Sequence, residues 1–467
     1  MEMEVAGEDD RVRTGTVWTA TAHIITAVIG SGILTLPWSV AQLGWILGPL
    51  MLVFFAFITY FTAILLADCY RFPDPTNGRR NKTYMDVVRA SLGKKDILIC
   101  GIIQYSLLWG TMVGYTITSA MSMMAIDKAI CVRKKGPKAS CDIYGTLHIV
   151  IFGIIEAFLS QFPSLEKVTV LSYIAAAMSF AYSLIGLCLC LLDFFSHPHF
   201  KGTLLGSQMG ASNVSLAPKL WSSFQALGNI AFAYSFSMIL IEIQDTLKSP
   251  PPENKTMKKA SIFGIGFTTL FYVSLGCVGY AAFGNDAPGN ILTGFQEPIW
   301  LIEIAHLAVI IHLVEHISSS NVLQIFAQPI FAFYEEWLAK KWPDASFFQR
   351  VYTLKAPFSK SRSIEFTLCK LIMRPLLVVV TTTVAAMLPF FNAMVGLLGA
   401  LGFWPLTVYY PVSVYINQAK IKRMQMKWVV LQSMTIVSLV VSLVATIGSV
   451  ADIVEHLKHA ELFKMKL

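Results

Sequence analysis

The chain reads as an all-α membrane protein of about eleven transmembrane helices, and three observations carry that reading. Hydrophobic residues make up 55% of its 467 residues and charged residues only 14%. A soluble domain holds about 25% charged residues. Apolar stretches of about 20 residues, enough to cross a ~30 Å hydrocarbon core, recur along the whole sequence. Two of them are interrupted, and irregular backbone at membrane depth is tolerated only where it is buried in protein or lines a cavity.

The apolar runs fall near 17–38, 44–67, 97–126, 146–162, 168–193, 221–246, 260–283, 298–327, 370–391, 394–418 and 428–453. The acidic start, Met1-Glu2-Met3-Glu4, is not that of a cleavable leader, and the first run is a full span, so it is expected to stay. The net charge of +8 points to topology rather than nucleic acid, because the basic residues sit in short loops between spans. Lys/Arg-rich loops at 68–96, 247–259 and 335–370, with Lys420-Ile421-Lys422-Arg423, place the N-terminus inside. The basic loop 127–145 argues the other way and is outvoted. An odd number of spans then puts the C-terminus outside.

That outer loop holds Cys131 and Cys141, ten apart in an oxidising compartment, where a disulfide is expected over two unrelated thiols. The other six cysteines show no metal-ligand spacing. Asn213-Val214-Ser215, in the outer loop 194–219, is a candidate glycosylation site. The same pattern at Asn81 and Asn254 falls inside and is read as chance.

The first span contains Ile29-Gly30-Ser31-Gly32, two turns after His23. Glycine costs about 1 kcal/mol in a helix interior and frees the backbone to unwind. The sixth span contains Phe232-Ala233-Tyr234-Ser235-Phe236, a mix of small, polar and aromatic residues where lipid contact would favour leucine. Interrupted segments in corresponding positions of two halves point to a transporter built from inverted repeats. The plainer alternative is a pair of helices using small residues to pack closely.

Exposed N–H groups at the positive end of a half-helix suit a carboxylate, and freed carbonyls on a facing break suit an ammonium. A zwitterionic amino acid supplies both, with Phe232, Tyr234 or Phe236 to close over it. A sugar or a purely anionic substrate would call for intramembrane arginines or many amides, which these spans lack. Ionisable residues in the spans are few: His23, Glu156, Glu242, Glu303, His306, His312, Glu315 and His316. Such residues are functional candidates by default. His23 and His312 lie mid-span, where an imidazole can carry a proton; the alternative is a neutral histidine bonded to a neighbour's carbonyl. No carboxylate pair, Ser-His-Asp order or His-Glu-x-x-His run gives enzyme chemistry a foothold, and no cofactor is called for.

Longer runs resemble one family, the plant amino acid permeases of the amino acid/auxin permease group. They include Arg13-Thr14-Gly15-Thr16-Val17-Trp18, Ala22-His23-Ile24-Ile25-Thr26-Ala27-Val28-Ile29-Gly30-Ser31-Gly32, Phe224-Gln225-Ala226-Leu227-Gly228 and Leu240-Ile241-Glu242-Ile243-Gln244-Asp245-Thr246. Gly279-Tyr280-Ala281-Ala282-Phe283-Gly284 and Phe403-Trp404-Pro405-Leu406-Thr407-Val408-Tyr409 continue the likeness, which covers about residues 12 to 450. It implies a leucine-transporter-like five-plus-five inverted repeat with discontinuous first and sixth helices and one extra helix. The divisions would be a cytosolic tail 1–16, repeat one at about 17–193, repeat two at about 221–418, the extra helix at about 428–453 and an extracellular tail 454–467. The implied activity is proton-coupled import of neutral, or more broadly chosen, amino acids across the plasma membrane by alternating access. Substrate would lie on Ile29, Gly30, Ser31, Gly32, Phe232, Ala233, Tyr234, Ser235 and Phe236, with His23 and His312 as coupling residues. The two outer cysteines also fit the family.

Three departures stand out. The segment Glu315-His316-Ile317-Ser318-Ser319-Ser320-Asn321 adds about six residues to the eighth span, roughly 9 Å of helix. Ala393 stands where the family usually has Asp, and Pro375 lies in the ninth span. The insertion reads as an altered transporter or, more in keeping with its place, a mis-spliced form. The rival readings are an auxin- or GABA-type relative and a receptor that binds amino acids without moving them.

Overall fold

Helix α1 (Val17–Val28) starts at a reciprocal cap between Thr16 and Thr19 and ends at Ile29, whose backbone leaves helical geometry. After Gly30 the chain resumes as a 3-10 turn, Ser31–Thr35, and runs into α2 (Leu36–Asp68). Within α2, Gly44 has φ +80°, which divides the element into the end of the first span and the second span. A side chain there would meet both a left-handed backbone and the chain of Leu204–Gly206, whose neighbour Thr203 accepts from Trp45 N at 3.2 Å. The expected first span, 17–38, therefore runs on to Leu43. The computed structural model describes residues 13–459 except 137–140, 142, 162–168, 197–199, 207–215, 319–326, 343–344, 346, 348–349 and 356–362.

The segment expected as a basic loop at 68–96 is structured. Strands β1 (Arg71–Phe72) and β2 (Arg79–Arg80) pair antiparallel, and α3 (Tyr84–Ser91) starts at a Thr83/Asp86 cap. In the turn between the strands Asp74 accepts from the Thr76 hydroxyl and the Thr76 and Asn77 N–H groups. Those bonds, the hydroxyl first, hold its carboxyl below the usual range.

Helix α4 (Lys94–Lys135) corrects the expected span 97–126. Its 42 residues make about 63 Å of helix, twice a hydrocarbon core. Hydropathy ends the span where lysines begin, but lysine and arginine are good helix formers, so the helix continues into the expected loop. Cys131 lies in its last turns and is disulfide-bonded to Cys141, their Cα atoms 6.3 Å apart.

Next come α5 (Gly145–Leu159), α6 (Thr169–Ser196), α7 (Leu216–Ala233), α8 (Ser237–Asp245), α9 (Glu253–Phe283), α10 (Ile299–Ser318) and α11 (Ala327–Lys341). The candidate insertion straddles the end of α10; residues 319–321 of it, like Asn213, lie outside the described residues. Of the expected span 298–327, the described residues hold α10 as far as Ser318, with 319–326 outside them. The basic stretch expected at 335–370 holds a hairpin, β3 (Val351–Lys355) against β4 (Ser363–Thr367). Charge marked it as cytosolic, while its alternating Val351, Thr353 and Ile364, Phe366 carried the strand signal.

The chain closes with α12 (Leu368–Met387), α13 (Phe391–Gly402), a π-helical stretch at Phe403–Tyr409, α14 (Tyr410–Gln418) and α15 (Met426–His459). Helix α15 outruns the expected 428–453 at both ends. By length and composition, eight helical stretches among the described residues are apolar enough to cross a membrane, and Val17–Val28, Gly145–Leu159 and Ile299–Val314 are shorter apolar helices. With α2 divided at Gly44, these account for eleven spans. Large apolar side chains such as Phe57, Leu270 and Leu443 are exposed, as a lipid-facing surface requires. Inside, α7 packs against α13 and α15. Added methyls at Gly228, Gly399 and Gly448 would run into facing backbone, so these helices touch at their backbones.

Candidate functional site

The two breaks meet. A methyl placed on Gly32 would lie 2.9 Å from Phe232 Cδ1 and 3.2 Å from Ala233 Cα. Gly32 thus packs directly against the Phe232 ring and the Ala233 backbone. Tyr272, on α9, ties them together: its hydroxyl is 2.5 Å from the Val28 carbonyl oxygen and 3.2 Å from that of Ala233. It donates its single proton to the carbonyls at which α1 and α7 end.

At the first break the backbone bonds run from Ile29 N to Ile25 O, Gly30 N to Val28 O and Ile33 N to Gly30 O. The N–H groups of Ser31 and Gly32 lie outside that set, at the start of the 3-10 turn. Neither has a backbone partner among the described residues, which leaves two donors of the kind that suits an anion. Gly30 is half-buried, and the nearest atom to a methyl there would be the Tyr115 hydroxyl at 3.7 Å. Ile29, Ser31 and Gly32 are buried.

The second break spans Tyr234–Phe236. Ser235 N bonds Phe232 O at 3.0 Å, Phe236 N bonds Tyr234 O at 3.1 Å, and Ser235 Oγ donates to Ala231 O at 2.7 Å. These carbonyls are each engaged once and keep a second lone pair. The five residues differ in access. Ala233, Tyr234 and Phe236 are buried, Tyr234 edge-on to the Tyr272 ring at 5.2 Å, whereas Phe232 and Ser235 keep open surface.

The sequence reading passed over Tyr272 and Tyr115. Each was visible only as a hydroxyl-bearing aromatic in an apolar run, and nothing local says which of 16 tyrosines faces a break.

The two histidines lie in different surroundings. His23, on α1, is half-buried, and α1 packs against α9 and α8. His312 is fully buried on α10, its Nδ1 3.0 Å from the Ala175 carbonyl and its ring 5.6 Å from that of Tyr182. Helix α10 packs mainly against α6 and α4. Of the other ionisable residues, Glu303 pairs with Arg133, and His306 is fully buried. The Glu242 carboxylate accepts from Tyr84 N at 3.2 Å, at the start of α3.

A strap joins the opposite ends of the broken helices. Gly15 N bonds Thr246 O at 2.9 Å, Lys248 N bonds Gly15 O at 3.0 Å, and Arg13 Nη2 pairs with Asp245 Oδ1 at 3.0 Å. Tyr70 donates to the same carboxylate at 2.7 Å. The start of α1 and the end of α8 are thereby held as one body. Among the described residues no group of His, Cys, Asp and Glu has the makings of a metal site.

The chain is 48% identical to amino acid permease 2 of Arabidopsis thaliana over 98% of this chain and 92% of that protein. It is 49% identical to amino acid permease 4 of the same plant over 98% and 97%, and 27% identical to its lysine histidine transporter-like 1 over 96% and 90%. Its fold is similar to that of Mhp1, a nucleobase-cation-symport-1 family transporter, with a TM-score of 0.51, 15% identity, and 95% and 93% of the two chains covered. That likeness establishes the leucine-transporter-like architecture with broken first and sixth helices. A family model described as transmembrane amino acid transporter protein matches residues 13–455. The chain is a multi-pass membrane protein that belongs to the transmembrane amino acid transporter family.

Proposed function

We propose that the protein imports neutral amino acids together with protons, by alternating access around the meeting point of the two breaks. The observation that carries this reading is the contact of Gly32 with Phe232 and Ala233, bridged by Tyr272. In the proposed site the N–H groups of Ser31 and Gly32, beside Ile29 and Gly30, take the substrate carboxylate. The carbonyls of the second break, from Phe232 and Ala233 to Tyr234, take the ammonium. Phe232 and Ser235 face the bound side chain, and the Tyr234 and Phe236 rings hold the wall behind them. Neither break supplies a charged side chain, which favours a zwitterion with a neutral side chain.

Coupling is assigned to His23 and His312, and the driving force is ample. A charge moving inward gains about 2.3 kcal/mol per 100 mV, and each pH unit adds roughly 1.4 kcal/mol. The membrane is proposed to be the plasma membrane, with the N-terminus cytosolic, the C-terminus extracellular, and Asn213 on the outer side as a glycan acceptor.

The test is uptake of radiolabelled proline or glutamine as external pH is lowered. Uptake should rise with acidity and should be lost in Gly30→Leu. Uptake indifferent to pH removes the proton coupling, and intact uptake in Gly30→Leu removes the carboxylate assignment. The receptor alternative predicts binding without counterflow in proteoliposomes.

A further inference from the structure

Away from the two breaks, one acidic side chain stands apart. Glu156, on α5, is 2% exposed, and neither of its carboxyl oxygens has a hydrogen-bond partner among the described residues. His148, Phe152 and Glu156 are buried at successive turns of α5. The carboxyl therefore belongs to the face that packs on α4, α12 and α10, not to the lipid-facing side.

Contacts on either side of it fix its depth. Two turns toward the start of α5, His148 Nε2 lies 2.8 Å from Asp127 Oδ2 of α4. Closer in, Gly153 abuts the side chain of Thr382 on α12. One turn past Glu156, the Ser160 carbonyl accepts from Arg374 Nη1 of α12 at 3.1 Å. Helices α5 and α12 therefore run antiparallel in contact, with Glu156 on the stretch between Gly153 and the arginine.

The charged and titratable groups on the surrounding elements are mostly committed. From α4 come Asp127, held by His148, with Tyr115 and Cys100 farther along; from α10 come Glu303, paired with Arg133, His306, and His312, bonded to Ala175. From α12 comes Arg374, whose Nε lies 3.0 Å from Glu335 Oε1 of α11 and whose guanidinium lies 5.1 Å from the Phe331 ring centroid, beside Tyr334 and Cys369. An ionised carboxylate without a partner is costly in such surroundings. The uncharged acid is the form that fits. Among the described residues, Arg374, itself only 9% exposed, is the cation bonded to the carbonyl one turn past Glu156.

We propose that Glu156 is a proton-binding site of the transport cycle, one turn from a guanidinium that receives its carboxylate when the proton leaves. The O–H bond of the acid breaks, the proton passes to water at the Ser160 end of α5, and Arg374 exchanges Glu335 for Glu156. Loading reverses these steps. The inference rests on the proton-coupled reading above and adds a site to it on the scaffold helices, remote from the two breaks.

Glu156→Gln keeps the shape and neutrality of the loaded form, so it separates this role from mere packing. In proteoliposomes with labelled glutamine, the variant is expected to retain counterflow, which needs no net proton movement. Accumulation driven by an imposed pH gradient should fall by about tenfold or more. Wild-type gradient-driven accumulation in the variant overturns the proposal while leaving proton coupling intact. A wild-type protein indifferent to the gradient overturns both. If the variant loses counterflow as well, labelling of the wild-type protein decides. Dicyclohexylcarbodiimide attacks protonated carboxyls in apolar surroundings and should modify Glu156, identified by peptide mass, less as the medium is made alkaline. No modification at any pH overturns the proposal.

Discussion

Gly32 and Phe232 leave no room between them: a methyl on the glycine would stand 2.9 Å from the ring. Segments 200 positions apart thus meet, the same methyl lying 3.2 Å from Ala233 Cα, and the halves of the molecule are joined beside the points where α1 and α7 end. Gly32→Ala should force the breaks apart. Overpacking of this kind costs about 1–3 kcal/mol, roughly a tenfold loss of uptake, with the protein still at the membrane. Gly30→Ala, whose methyl would find its nearest atom at 3.7 Å, should cost much less. Equal uptake rates for the two variants would contradict the close contact.

Tyr272 gives a second prediction. Tyr272→Phe removes the hydroxyl at the Val28 and Ala233 carbonyls and adds no bulk. A buried acceptor left short of a bond costs about 1–3 kcal/mol. Thermal unfolding in detergent should shift down by a corresponding few degrees, and KM for uptake should rise more than kcat falls.

The strap at the other end of the broken helices is testable by a double-mutant cycle. Arg13 and Asp245 pair at 3.0 Å with side-chain exposures of 9% and 6%. Removing either member of a buried pair is expensive, by about 3 kcal/mol or more where burial is complete. Arg13→Ala and Asp245→Asn should each lower stability by at least about 1 kcal/mol, and the double variant by less than their sum. Strict additivity would show that the pair is idle.

The disulfide reports both stability and sidedness. Closing a short loop stabilises by about 2–3 kcal/mol, so reduction should lower the melting temperature. Cys131→Ser frees the partner thiol. A membrane-impermeant maleimide should then label Cys141 on intact cells if the loop faces outward, and only after permeabilisation if the topology is reversed.

Much of the architecture was legible because the bilayer imposes it. A hydrocarbon core of fixed thickness turns composition into span length, and glycines within a span mark where helix gives way. The break at Ile29–Gly32 was visible for that reason, and the one within Phe232–Phe236 by its small, polar and aromatic residues in place of leucine. The 42-residue α4 and the Val351–Thr367 hairpin were missed, because outside the core hydropathy no longer reports on backbone structure.

The amino-acid sequence alone determined the membrane class, the number of spans, the two interruptions and the family likeness. These follow from local properties: apolar run length, glycine placement and charge in the loops. Only the tertiary structure decided that Gly32 faces Phe232, that Tyr272 closes both breaks, that Tyr234 and Phe236 turn into the packing, and that Arg374 lies one turn from Glu156. Those relationships depend on how helices far apart in the chain rotate and cross. Each helix presents a face to every direction, and packing against its neighbours selects which one.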